Sequence, residues 1–188
     1  MRTAYFDCFS GISGDMTIGA FLDIGVPLEW LQEQLSEMDL DGYSLNEQPV
    51  SCHGIQALHF QVNVQDDPTH RHYGDIKSLI DKSRLPARVQ QTSLAIFDQV
   101  ADAESRIHGL EISKVHFHEV GAIDSIVDIV GTALCLDYLD IETVISSKIP
   151  LGKGFVTCQH GTLPIPAPAT ERYSRVSRCM ALEYPRRW

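Results

Sequence analysis

The order of strand-like and helix-like segments along these 188 residues predicts an α/β or mixed α+β fold, with interleaved strands and helices stacked in layers. Three observations carry that prediction. Thr3–Phe9 reads as a strand that passes through a tight Gly-containing loop, Ser10–Asp15, into a helix over about Asp15–Ile24. Ile55–Gln65 alternates, so that Leu58, Phe60, Val62 and Val64 share one face. Ala122–Leu139 is apolar nearly all round, which marks a helix buried between layers.

The other elements follow in order. Gly25 and Pro27 stop the first helix, and Pro27 opens the next, Leu28–Met38, amphipathic through Leu28, Leu31, Leu35 and Met38. Tyr43–Gln48 pairs with Ile55–Gln65 as a second strand. Asp66–His72 is a polar loop around Pro68, followed by a short helix, Asp75–Ser83, and a long one, Pro86–His108, closed by Gly109. Thr143–Ser147 and Gly154–Cys158 read as strands, and Leu163–Thr170 as an extended proline-rich segment. There is no internal repeat.

Composition narrows the function. The chain is long enough to bury a core, and its net charge of −10 argues against nucleic acid as a partner. No run approaches the ~18 apolar residues that a membrane span needs. The five cysteines (Cys8, Cys52, Cys135, Cys158, Cys179) are odd in number and form no CxxC, so they read as reduced and the chain as cytoplasmic. The amino terminus reads as a strand start rather than a signal peptide. Residues 171–188 break the pattern, with five of the ten arginines, no lysine and only Glu171 and Glu183 as acids. The expected organisation is a domain over 1–170 and a divergent arginine-rich tail over 171–188, as truncation or a shifted reading frame would give.

Coordinating chemistry concentrates in Val115–Gly131. If 115–120 is extended, His116 and His118 point to one side and Val115 and Phe117 to the buried side. Imidazoles so placed suit nickel, zinc, copper or iron, and Glu119 adds a harder ligand. Asp124, Asp128 and Thr132 then recur every four residues, one polar stripe on an apolar helix. Asp124 has an alternative role, since acids stabilise helix amino termini. Asp128 does not: buried, it must meet a cation, donors or solvent.

Two further motifs carry weaker signals. Ser10-Gly11-Ile12-Ser13-Gly14-Asp15, between strand and helix, has the form of an anion cradle of backbone N–H groups without being a Walker loop. Asp7 and Asp15 flank it and would repel a bare phosphate unless a divalent ion bridged them. The alternative is a plain tight turn with Asp15 at the helix start. His70-Arg71-His72 is a second His-x-His, on a polar loop. A nucleotide hydrolase built on the Gly-Ser loop and the acids is a rival reading.

Three blocks, Tyr5–Met16, Val115–Gly131 and His160–Thr170, resemble the amino-terminal half of the LarC family, the nickel insertases of nickel-pincer-nucleotide biosynthesis. The resemblance covers about residues 1–170. It implies insertion of nickel into pyridinium-3,5-bisthiocarboxylic acid mononucleotide, with CTP consumed and magnesium or manganese assisting, to make the cofactor of lactate racemase. On that reading His116, His118 and Glu119 hold nickel, with His70 and His72 as an accessory capture site. Asp128 with Asp124 holds a second ion or takes a proton. Ser10, Gly11, Ser13 and Gly14 bind the mononucleotide phosphate. The family continues into a carboxy-terminal half associated with CTP, so that half is an expected partner in an oligomeric assembly. The alternative is a module that stores or delivers nickel without chemistry of its own.

Overall fold

A computed structural model describes residues 2–65, 71–117, 120–158, 161–168 and 170–171. The tail from Arg172 onward therefore lies outside the described residues. Strand β1 (Thr3–Phe6) leads to helix α1 (Gly14–Asp23) and then to α2 (Leu28–Leu35). Strands β2 (Tyr43–Cys52) and β3 (Ile55–Val64) precede α3 (Tyr73–Lys82) and the long α4 (Ala87–His108). A single 3-10 turn, Ile112–Lys114, leads towards α5 (Ile123–Tyr138), and β4 (Thr143–Ser146), β5 (Gly154–Cys158) and β6 (Gly161–Ile165) complete the order. Strands and helices interleave as the sequence predicts.

The strands form three two-stranded ladders. β1 and β4 run parallel, Thr3 opposite Thr143 and Phe6 opposite Ser146. β2 and β3 are an antiparallel hairpin ten residues deep, and β5 pairs antiparallel with β6. The hairpin turns on His53 and Gly54, both at positive φ (51° and 86°), the two-residue turn whose twist suits a hairpin. β2 runs four residues past the predicted Gln48, through Pro49. Among the described residues its one neighbour in the ladder is β3, and proline is tolerated on such an edge.

Other boundaries move for local reasons. β1 stops three residues short of Phe9. There the Cys8 N–H donates to Ser147 Oγ (2.8 Å) and the Gly11 N–H donates to the Cys8 carbonyl (3.0 Å), which turns the chain. The proline-rich block is also more ordered than a plain extended segment, since its first residues join β6. Of the predicted strand at 115–120, the described residues 115–117 carry an isolated bridge at His116.

The core lies where the helices meet the β2–β3 hairpin. Ile18, Phe21 and Leu22 of α1, Leu31 and Leu35 of α2, Phe60 of β3, Ile76 and Ile80 of α3, Phe97 of α4, and Ile126, Val127, Val130 and Leu134 of α5 are all buried. Each helix sends residues three and four apart inward, the amphipathic spacing read from the sequence. Two glycines set the spacing of α1. A Cβ on Gly19 would lie 2.7 Å from the Leu58 carbonyl oxygen, and one on Gly131 would lie 2.9 Å from Ile18 Cδ1. α1 is thereby pressed onto both β3 and α5, with its amino terminus against the acid stripe.

Candidate functional site

Two groups of polar side chains are assembled, one on rigid helices and one where two chain segments touch. The first begins at Gly14. A Cβ there would sit 2.4 Å from Cβ, Cγ and Oδ2 of Asp128, so glycine is what allows the first turn of α1 to seat against α5. Beside the contact opens a cleft of about 270 Å³, lined by Gly14, Ile96, Val120, Ser125, Asp128, Ile129 and Thr132. Asp128 and Thr132 share it because they lie one helical turn apart, as the four-residue repeat predicts.

Asp128 is the chemically loaded group. Its Oδ1 is buried and has no hydrogen-bond partner among the described residues. Burial chiefly, and then the negative charges of Asp15 and Asp124, push its carboxyl up from the ordinary carboxylate range to about 7. A carboxylate there is only partly solvated and its Oδ1 has no donor among those residues, so a proton or a cation is the species the site favours. A base that titrates near neutrality is also well matched to proton transfer. Asp124 is exposed in the first turn of α5, where its Oδ1 accepts the Ser125 N–H at 2.7 Å. That contact fits the helix-terminus role, while its charge still acts on Asp128.

The Ser-Gly loop is partly committed to itself. Ser10 is exposed, and Gly11 adopts φ +100° while giving its N–H to Cys8. The Ser13 hydroxyl donates to the Asp15 carboxylate, and the Thr17 hydroxyl donates to the Ser13 carbonyl at 2.8 Å. Of the loop residues proposed as an anion cradle, Gly14 is the one that lines the cleft.

The second group is described at two of its expected residues, His116 and His72. His116 pairs across an isolated antiparallel bridge with His72, their ring centres 4.5 Å apart and inclined at 58°. Val115 and Phe117 on either side are buried, so the alternation predicted for this stretch does present His116 on the opposite face. His118, Glu119 and His70 lie outside the described residues. Among the described residues, no three His, Cys, Asp or Glu side chains converge on a position able to hold one metal ion.

Sequence reasoning missed three things here. Nothing marked Ile96 of α4 as a cleft residue, since it looked like one of many apolar helix positions. Gly14 was read for its backbone, and its contact with Asp128 had no local signal. The His72–His116 contact joins residues 44 positions apart, which no motif spacing encodes. Cys8 and Cys135 are free and buried, and burial pushes the Cys135 thiol up to about 12. A thiol so high is not a nucleophile at neutral pH.

The fold and these two groups define a mixed α/β protein with oxygen and imidazole donors suited to cations. Comparison with known proteins makes the class specific: residues 4–181 match the family model described as nickel insertion protein, and the chain belongs to that family. It is 51% identical over 172 residues to a "Putative nickel insertion protein" of Geotalea daltonii, covering 90% of this chain and 44% of the relative. It is 52% identical over 168 residues to the protein of the same name in Pelobacter propionicus, covering 88% of this chain and 43% of that relative. It is also 50% identical over 170 residues to the pyridinium-3,5-bisthiocarboxylic acid mononucleotide nickel insertion protein of Desulfitobacterium hafniense, covering 90% of this chain and 42% of that one. The chain thus spans less than half the length of these relatives. No solved structure matches it. Among the described residues, no helix is long and apolar enough to cross a membrane.

Proposed function

We propose that this chain is the amino-terminal component of a nickel insertase that metallates pyridinium-3,5-bisthiocarboxylic acid mononucleotide, the substrate named for its Desulfitobacterium relatives. The observation that carries the chemistry is Asp128, a half-buried carboxyl held near neutrality beside an open cleft. Forming a carbon–nickel bond on an aromatic ring requires the ring carbon to lose a proton as the metal takes its place. Asp128 accepts that proton, and Asp15 and Asp124 keep it basic enough to do so. When a divalent ion occupies the cleft instead, Asp128 meets it, the charges of Asp15 and Asp124 add attraction from outside the cleft, and a phosphate at the Ser10–Gly14 loop then meets a neutralised wall.

Nickel is the substrate ion in this reading. The imidazoles of His116 and His72 receive it, with His118, Glu119 and His70 nearby in sequence. CTP, with magnesium or manganese, belongs to the carboxy-terminal half, which is the partner this chain requires within an oligomeric assembly. The product serves lactate racemase, and the setting is the cytoplasm, where cysteines stay reduced. A second reading, nickel storage or delivery without catalysis, draws on the chain spanning under half of its relatives.

Reconstitution separates the two. The chain is mixed with the carboxy-terminal half of a relative, nickel, CTP, magnesium and the mononucleotide, and nickel-bearing product is followed by mass spectrometry. Turnover that needs both halves, and that falls at least about a hundredfold in Asp128→Asn, supports the insertase. Equal product with and without this chain contradicts it. Nickel binding by the chain with no contribution to turnover would favour storage.

A further inference from the structure

The backbone around the two histidines is clamped from both sides. The Tyr73 N–H donates to the Val115 carbonyl (3.2 Å), and the Phe117 N–H donates to the Arg71 carbonyl (3.3 Å). Arg71 Nη1 donates to the Gly121 carbonyl at 3.1 Å. A Cβ on Gly121 would crowd the Phe117 and Arg71 carbonyl oxygens at 3.0 and 3.1 Å, so that crossing is built for glycine. On the His72 side, its own N–H donates to Asp75 Oδ2 (2.9 Å) at the start of α3. On the other, Phe117 is buried edge-on to Tyr73, ring centres 6.4 Å apart and planes at 86°. Both rings are therefore carried on fixed backbone.

Their separation is informative. Two imidazoles bound to one divalent ion through ~2.1 Å bonds at about a right angle have ring centres roughly 4.5–5 Å apart. The observed 4.5 Å, with the planes inclined at 58°, falls in that range. His72 is exposed, and His116 is half-buried with its Nδ1 enclosed, so an ion reaches the pair from the His72 side.

We propose that His72 and His116, contributed by the start of α3 and by the 115–117 segment, together form a two-imidazole receiving site for a late first-row divalent metal ion. The site rests on the nickel reading above and makes one joint, cross-segment pair of two histidines that the sequence assigns to separate pairs. Two protein ligands leave the remaining coordination positions to water or to the donors of an acceptor molecule. That is the arrangement an ion in transit needs, in contrast to a closed structural site. Imidazole also binds nickel well while leaving it exchangeable, which thiolate would not.

The test is nickel chloride titration by calorimetry of the whole chain and of His72→Gln, His116→Gln, the double variant and a His59→Gln control. A joint site predicts that either single change lowers affinity about a hundredfold, the advantage of a second linked ligand, and that the double variant loses little more. His59→Gln binds as the parent does. In the unmutated chain, nickel should protect both imidazoles from diethyl pyrocarbonate at the same concentration, a readout that needs no variant to fold. Loss in His116→Gln with unchanged binding in His72→Gln, and no protection at His72, overturns the joint site and leaves the nickel reading standing. If the unmutated chain binds no nickel, the joint site falls, and the insertase reading is decided by the reconstitution of the two halves.

Discussion

The acid cleft and the histidine bridge solve opposite problems. The cleft is made by two helices pressed together, Gly14 of α1 against Asp128 of α5, and its donors are oxygens whose charges repel one another. The bridge joins two irregular segments, and its donors are imidazole nitrogens on rings whose centres lie 4.5 Å apart. The cleft is electrostatically unsatisfied by itself and gains from a proton or a hard cation. The bridge presents softer nitrogen ligands.

The comparison can be broken first at the element that supports the bridge. Phe117→Ala removes a buried ring packed on Tyr73 and Phe97, and should destabilise the chain by about 3–5 kcal/mol in urea denaturation. It should also weaken nickel binding, because Val115–Phe117 would lose its anchor. Gly14→Ala attacks the cleft alone. Its methyl must displace the Asp128 side chain, costing about 1–3 kcal/mol, while nickel affinity at the histidines stays within about twofold of the parent.

A smaller effect tests the electrostatics. With its folded pKa raised to about 7, Asp128 binds a proton in the folded state that the unfolded chain has already released between about pH 4 and 7. Stability contributed by this group is therefore present below pH 4 and lost as pH rises through 7. Asp128→Asn should raise Tm by a few degrees at pH 8 and leave it nearly unchanged at pH 4. An equal shift at both pH values would mean that packing, not charge, governs the position. Smallest of all, Asp124→Asn should change stability by only about 0.3–1 kcal/mol, as expected for an exposed acid at a helix start. It should also move the Asp128 titration downward, since one of the charges holding it up is gone.

Much of this was legible in the sequence, for physical reasons that differ by residue. The i, i+4 spacing of Asp124, Asp128 and Thr132 is a property of one helix, so Asp128 and Thr132 line the cleft together while Asp124 stays exposed one turn before them. The alternation of Val115, His116 and Phe117 also held, because two buried residues fix the middle one outward. The hairpin pairing of β2 with β3 followed from alternating apolar positions, although β2 ran further than its proline suggested. The partner of His116 was not legible. Local spacing pointed to His118, whereas the backbone bridge runs to His72 through contacts that only folding creates. Gly14 was likewise unreadable as a packing residue, since its neighbour lies 114 positions away.

The most direct test of the account is the titration of the Asp128 carboxyl itself, followed by NMR of aspartate-labelled chain and assigned with Asp128→Asn. The account predicts a midpoint near 7, well above the other carboxyls, that moves down when a divalent cation is added. A midpoint near 4 that ignores the cation would contradict it, and the acid stripe would then be only a solvated helix face.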